Sequence, residues 1–122
     1  VESMRRLLPL LAVAALLVPP TAFALVTATR LSGTTGPGLT ITLKKAGVKV
    51  KTLRPGSYTI TVADKSTQHD FVLTGPGIRN KRITGLTFKG TRSATVTLKR
   101  GTYTYFCTPH RSIGMKGTFT VK

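Results

Sequence analysis

The sequence predicts an all-β fold, a Greek-key β-sandwich of about eight strands. From residue 25 onward, Thr, Val, Ile, Leu and Tyr alternate with polar residues at the two-residue period of strands that are buried on one face. Gly or Pro interrupts this pattern about every ten residues, as turns do in small all-β domains. A chain of this length buries one core, so we expect a single domain of two packed antiparallel sheets.

The N-terminal segment has the pattern of a secretory signal peptide. A basic start at residues 4–6 is followed by an apolar run over residues 7–18 and a small-x-small ending at residues 22–24. An uncleaved membrane anchor is the alternative. The adjacent prolines at 19–20 argue against it, because they interrupt the roughly 20-residue apolar helix that a membrane span requires.

We therefore expect a signal peptide over residues 1–24 that is cleaved after Ala24, and a mature domain over residues 25–122 without a membrane span. Export implies an extracytoplasmic location, in the periplasm, in the cell envelope or outside the cell. A single Cys in such a compartment cannot form an internal disulfide, so it is free, intermolecular or a metal ligand.

Nine segments of the mature domain have the composition of strands. They cover residues 26–30, 39–44, 49–52, 57–63, 70–73, 83–88, 94–99, 102–107 and 117–122. The turns between them are marked by Ala-Gly at 46–47, which predicts a hairpin, and by Pro-Gly pairs within residues 54–56 and 75–77. Alternation also assigns one face of each strand to the core. Three such faces are Tyr58, Ile60 and Val62; Ala94, Val96 and Leu98; and Tyr103, Tyr105 and Cys107.

The charge of the chain is strongly positive, with 19 Lys and Arg against 3 Asp and Glu, or net +16. Residues 25–122 hold 17 of these basic and 2 of these acidic residues, or net +15. Such a charge favours association with acidic partners. We do not expect nucleic-acid binding, because the basic residues are spread over every strand and turn and no recognition helix or stacking-aromatic motif accompanies them.

The stretch YFCTPHRSIGM at residues 105–115 contains three soft or borderline metal donors, namely Cys107, His110 and Met115. The other His of the chain, His69, precedes a different strand. Two imidazoles, a thiolate and a thioether form the ligand set of a blue copper site. Each residue alone would more often be structural, a buried thiol or a solvated imidazole. Zinc also binds a Cys-His₂ set, but its sites seldom include Met.

The segment TYTYFCTPHRSIGM resembles the C-terminal ligand loop of the plastocyanin and pseudoazurin branch of the cupredoxins, and QHDFVLTGPG resembles the segment that supplies their first His ligand. The resemblance covers most of residues 39–122. It implies one type 1 copper ion, bound in an eight-stranded sandwich by His69, Cys107, His110 and Met115. It also implies single-electron transfer between larger redox proteins outside the cytoplasm.

Three residues near the predicted ligands bear on how the site works. The resemblance gives Tyr103 a stabilising role, in which its hydroxyl fixes the strand. Asp70 stands where the family usually has Asn, and its charge should favour Cu(II) and lower the reduction potential. Phe106 stands where plant members often have an exposed Tyr, which argues against a second electron entry there.

The expected function is thus that of a monomeric, exported electron carrier and not of an enzyme. Electrons would pass through His110, and the docking patch around it would contain Pro109, Ile113, Gly114 and Pro76. Arg111 and Lys116 would steer acidic redox partner proteins towards it. An extracytoplasmic copper-buffering or copper-delivery protein is the alternative, and a metal-free interaction module is a third possibility.

Overall fold

The computed structural model of the chain describes Pro9, residues 11–22 and residues 27–122. The predicted cleavage point at Ala24 and the predicted strand start at Val26 lie outside these residues. Residues 11–22 have no regular secondary structure and take no part in the core. Across the described residues, we find no helix whose length and apolar character would suffice for crossing a membrane.

Residues 27–122 form ten strands and one 3₁₀ helix. The strands are β1 (Thr29–Thr35), β2 (Ile41–Lys45), β3 (Val48–Lys49), β4 (Thr52–Leu53), β5 (Gly56–Asp64), β6 (Phe71–Gly75), β7 (Ile78–Thr84), β8 (Gly90–Leu98), β9 (Gly101–Phe106) and β10 (Lys116–Val121). The 3₁₀ helix spans Thr108–Ile113, between β9 and β10. β3 and β4 have only two residues each, so the eight longer strands agree with the predicted sandwich.

The strands form two five-stranded sheets, with the orders β3-β2-β1-β5-β8 and β4-β10-β9-β6-β7. The prediction of antiparallel sheets holds for six strand pairs and was wrong for two, because β1 pairs with β5 in parallel and β4 pairs with β10 in parallel. Greek-key connections bring strands that are distant in the chain side by side, and these two pairs run in the same direction. Each parallel pair thus joins strands from different hairpins.

Three predicted strands are placed differently in the structure. The segment 26–30 overlaps the first strand only at residues 29–30, because β1 continues to Thr35. The segment 49–52 is not one strand, because the chain leaves the first sheet after β3 and enters the second sheet at β4, with Val50 buried between them. In the segment 83–88, only residues 83–84 belong to a strand, because β7 ends at Thr84. The residues that follow form a turn, in which the Phe88 N–H donates to the Gly85 carbonyl at 3.2 Å. The strand lies earlier, in β7, which carries exposed polar and charged side chains and therefore lacks the apolar alternation of a half-buried strand.

The core lies between the sheets and contains the side chains that alternation assigned to it. Ile60, Val62, Tyr103 and Tyr105 are fully buried. Burial of an aliphatic side chain such as Ile60 or Val62 stabilises the fold by about 1.5–3 kcal/mol. Tyr105 stacks on Phe71 with ring centroids 5.7 Å apart. Such aromatic pairs add about 0.5–1.5 kcal/mol beyond their buried area.

The Tyr103 hydroxyl joins two hairpins at the end of the sandwich where β9 begins. It donates a hydrogen bond to the Pro76 carbonyl at 2.6 Å and accepts one from the Lys99 N–H at 3.0 Å. A side chain at Gly75 would collide with the Tyr103 ring, so this strand position admits only glycine. The expected stabilising role of Tyr103 therefore has a structural basis in one local and one long-range hydrogen bond.

We predict that Tyr103→Phe lowers the free energy of unfolding by about 2 kcal/mol, because the Pro76 carbonyl and the Lys99 N–H both lose their partner in part-buried hydrogen bonds. Tyr58→Phe is the matched control, since the Tyr58 hydroxyl makes one hydrogen bond, to the Arg54 carbonyl. It should cost about 1 kcal/mol. Urea denaturation of both variants checks the order, and equal effects would contradict it.

Candidate metal centre

The four residues predicted as ligands all lie at one end of the sandwich. His69 directly precedes the segment that enters β6, and Cys107 directly follows β9. His110 belongs to the 3₁₀ helix, and Met115 directly precedes β10. Because β6 and β9 are antiparallel neighbours, the start of one lies beside the end of the other, which brings His69 to the Cys107 loop.

Three of these side chains converge on one point. His69 Nδ1 lies 3.1 Å from His110 Nδ1, and Cys107 Sγ lies 3.6 Å and 3.5 Å from these two nitrogens. A metal about 2.0–2.1 Å from each imidazole nitrogen and about 2.3 Å from the sulfur would hold donors in a trigonal plane roughly 3.5–3.8 Å apart. The donors present therefore fit one soft or borderline metal ion with little rearrangement.

Met115 is buried, and its backbone is bonded to the rest of the loop. The Cys107 N–H donates to the Met115 carbonyl at 3.0 Å, and the Met115 N–H donates to the His110 carbonyl at 3.1 Å. Gly114, with φ of 97°, adopts the left-handed conformation that turns the chain back into β10. The backbone thus carries Met115 to the same end of the strands as the three converging donors.

The orientation of His69 is set by the loop between β1 and β2, to which the sequence had assigned no role. The His69 Nε2 atom lies 3.1 Å from the Pro37 carbonyl, which can only accept, so Nε2 carries the proton and Nδ1 keeps its lone pair for a metal. Gly36 lies against the ring, and a Cβ there would be 2.8 Å from His69 Cδ2. Both features hold the ring on the metal side.

A series of short-range hydrogen bonds fixes the chain that leads to His69. The buried Asp64 carboxylate accepts from the Ser66 N–H at 3.1 Å, and the Ser66 hydroxyl accepts from the Gln68 N–H at 3.1 Å. The His69 N–H then donates to the Ser66 carbonyl at 3.4 Å. These contacts give the His69 backbone a defined position in a segment without regular secondary structure.

Asp70 joins the His69 segment to the Cys107 loop. Its buried carboxylate accepts from the Thr108 N–H at 2.6 Å and from the Thr108 hydroxyl at 2.7 Å. Arg82 of β7 reaches the same carboxylate with its Nε, at 3.3 Å. The sequence drew attention to Asp70, but it gave no sign of Arg82 because the partner lies on another strand.

The thiol of Cys107 is buried, and this burial raises its pKa above the ordinary value. The negative charge of Asp70 acts in the same direction, while backbone N–H groups that face the sulfur act in the opposite one. The metal-free centre therefore holds a protonated thiol at neutral pH, and metal binding must displace that proton.

One residue of the predicted docking patch lies elsewhere. Pro76 is at the opposite end of the sandwich, where its carbonyl accepts from Tyr103 and its ring lies against Gly101. The prediction for Pro76 was wrong because β6 runs away from the metal centre, from Phe71 to Gly75. Pro109, Ile113 and Gly114 belong to the exposed ligand loop, as expected.

We predict that metal affinity rises about tenfold per pH unit between pH 7 and 8.5, because the buried Cys107 thiol releases one proton on binding. Competition titrations with Zn(II), which cannot oxidise the thiol, measure this slope. Cys107→Ser is the control and should bind more weakly with a flat profile. A flat profile for the unmodified protein would contradict a protonated thiol.

The sequence matches the family model described as copper binding proteins, plastocyanin/azurin family, over residues 40–122. A 22-residue segment is 73% identical to the plastocyanin of Dryopteris crassirhizoma, which is 18% of this chain and 22% of that protein. The chain thus aligns with about a fifth of the length of this curated relative.

Solved structures of rusticyanin share the fold. A point mutant of rusticyanin superposes with a TM-score of 0.56 at 20% identity, over 76% of this chain and 76% of that chain. Reduced rusticyanin superposes with a TM-score of 0.53 at 22% identity, over 76% of this chain and 78% of that chain. On the family match over most of the described domain, this chain belongs to the plastocyanin/azurin family of copper-binding proteins, and copper is its cofactor.

Proposed function

We propose that the protein is an exported carrier of single electrons whose copper ion is bound by His69, Cys107, His110 and Met115. The observation that supports this most directly is the convergence of two imidazole nitrogens and one thiol sulfur within 3.1–3.6 Å of one another. A thiolate with two imidazoles and a weak thioether is the donor set of electron-transfer copper sites.

Bound copper supplies the electron chemistry, since it gains or loses one electron between Cu(II) and Cu(I) without a proton or a new bond. The contacts around the donors would hold them in one arrangement for both oxidation states. His69 is fixed by the Pro37 carbonyl, and the Cys107 loop is fixed by Asp70 and by its own backbone bonds to Met115. A fixed arrangement favours fast transfer because little has to move when the charge changes.

The end of the sandwich that contains His110 offers a docking face for a partner. His110 is half-buried, so part of this residue reaches the surface. In residues 27–122, four large apolar side chains are exposed. Three of them lie in loops at this end, namely Leu39, Leu86 and Ile113, and the fourth is Val48. Exposed apolar side chains grouped around a redox site favour brief, weakly specific protein contacts.

Charge determines which partners this face suits. The two acidic side chains of residues 27–122, Asp64 and Asp70, are both buried, so the side chains at the described surface carry positive charge only. Arg111, within the ligand loop, and Lys116, directly after it, are both exposed. We infer that the electron donor or acceptor is an acidic protein outside the cytoplasm, and that the carrier acts as a monomer without catalysing a reaction of its own.

A copper-buffering or copper-delivery protein is the second candidate, since it would use similar soft ligands. Such a protein has to exchange its metal readily. Cys107 and His69 are instead buried at the base of the ligand loop, which favours retention of the metal over exchange.

The deciding experiment is the visible and EPR spectrum of the domain after one equivalent of Cu(II). We expect an intense blue band and a narrow copper hyperfine splitting, both of which require the Cys107 thiolate. Cys107→Ser should abolish both, whereas Ser112→Ala, in the same exposed loop, should leave them unchanged. A colourless product with ordinary hyperfine splitting would favour the buffering function.

We predict that the rate of electron exchange with an acidic redox protein falls steeply as salt rises from about 0.01 to 0.2 M, because added ions screen the attraction. The rate with a neutral small-molecule oxidant should change little over the same range. Stopped-flow measurements compare the two. The same dependence for both oxidants would remove the steering role of the charge.

A further inference from the structure

A cleft of about 300 Å³ opens on the side of the second sheet, next to the metal centre. Its lining residues are Val72, Asn80, Arg82, Phe106, Thr108 and Arg111. Phe106 directly precedes Cys107 in the chain and is buried beneath the guanidinium of Arg111, which lies 4.0 Å from the ring centroid. The cleft thus has an aromatic floor that is covered by a cation.

Two guanidinium groups border the cleft, and no acidic residue contributes to its lining. Arg82 is 55% exposed and contacts the buried Asp70 carboxylate through Nε at 3.3 Å. Its delocalised, planar head has further N–H groups that can bind a second carboxylate. Arg111 is held by the Phe106 ring, and a guanidinium stacked on an aromatic ring keeps its edge available for hydrogen bonds.

A short path connects this cleft to the metal centre. Arg82 contacts Asp70, and Asp70 binds the backbone and the hydroxyl of Thr108, which directly follows Cys107. The positive charge of Arg82 offsets the negative charge of Asp70 close to the thiolate. Any anion that shares Arg82 therefore leaves the Asp70 charge less compensated, and this favours Cu(II) over Cu(I).

We propose that the cleft between Arg82 and Arg111 binds a carboxylate side chain of the acidic redox partner, and that this binding lowers the reduction potential of the copper through Arg82 and Asp70. The proposal rests on the electron-carrier function above and adds where the partner is held. Arg111 follows His110 in the chain, so a partner docked over His110 can reach the cleft with an acidic residue at its margin. Lowering the potential on docking makes the carrier a better electron donor to that partner.

Hexaglutamate is the probe for the binding step, titrated into the Cu(I)-loaded domain and followed by NMR. We expect Arg82→Gln and Arg111→Gln each to raise the dissociation constant about three- to tenfold, as the loss of one partly exposed charge-assisted contact implies. Lys45→Gln removes the same charge from an exposed position on β2 of the other sheet and should change the constant less than twofold. Equal effects of all three variants would mean that only net charge is sensed, and would overturn the proposal.

Inorganic phosphate at matched ionic strength distinguishes a partner's side chain from a small free anion. Phosphate that binds the same residues as tightly as hexaglutamate would overturn the assignment to a partner. Arg82→Lys keeps the charge next to Asp70 but lacks the planar fork. It should fold normally and bind hexaglutamate more weakly than the unmodified protein, so the test stands even where Arg82→Gln fails to fold.

The second step is read from the reduction potential with and without saturating hexaglutamate. The potential should fall in the unmodified protein and in Lys45→Gln, and should stay constant in Asp70→Asn, in which the charge that Arg82 offsets is removed. A potential that does not respond in the unmodified protein would overturn the coupling. Absence of the blue band from the Cu(II)-loaded unmodified protein would instead be a failure of the electron-carrier function, and the binding titration on the metal-free chain would still report on the cleft.

Discussion

The metal centre depends on the buried carboxylate of Asp70 and its bonds to Thr108. These two hydrogen bonds tie the segment that carries His69 to the loop that carries Cys107, two parts of the chain 38 positions apart. A carboxylate is costly to bury unless its oxygens are bonded, and here Thr108 and Arg82 supply the partners. Together with the pairing of β6 and β9, this link holds the first imidazole close to the thiol.

The sandwich and the grouping of candidate donors in one loop could be predicted from the sequence because their signals are local. Alternation identifies strands such as β5 and β9, and the spacing of Cys107, His110 and Met115 lies within one loop. The passage of the chain from the first sheet to the second at Val50 could not be predicted, nor could the start of β7 at Ile78. Neither segment has alternating apolar and polar residues. A two-residue strand and an edge strand with polar side chains give the same pattern as a loop.

The contacts that orient the donors could not be predicted either. His69 depends on the Pro37 carbonyl, 32 positions away, and a backbone carbonyl carries no residue-specific signal. Arg82 is one basic residue among many, and its contact with Asp70 follows only from the bulged pairing of β6 with β7. Residue type thus shows which atoms can bind a metal, whereas topology decides how those atoms are aimed.

The burial of both acidic side chains has a consequence for how two copies of the protein meet. In residues 27–122 every outward-facing charged side chain is basic, so the faces through which two carriers would exchange an electron repel each other. The proposed electron carrier would therefore exchange electrons more readily with an acidic protein than with a second copy of itself at low ionic strength.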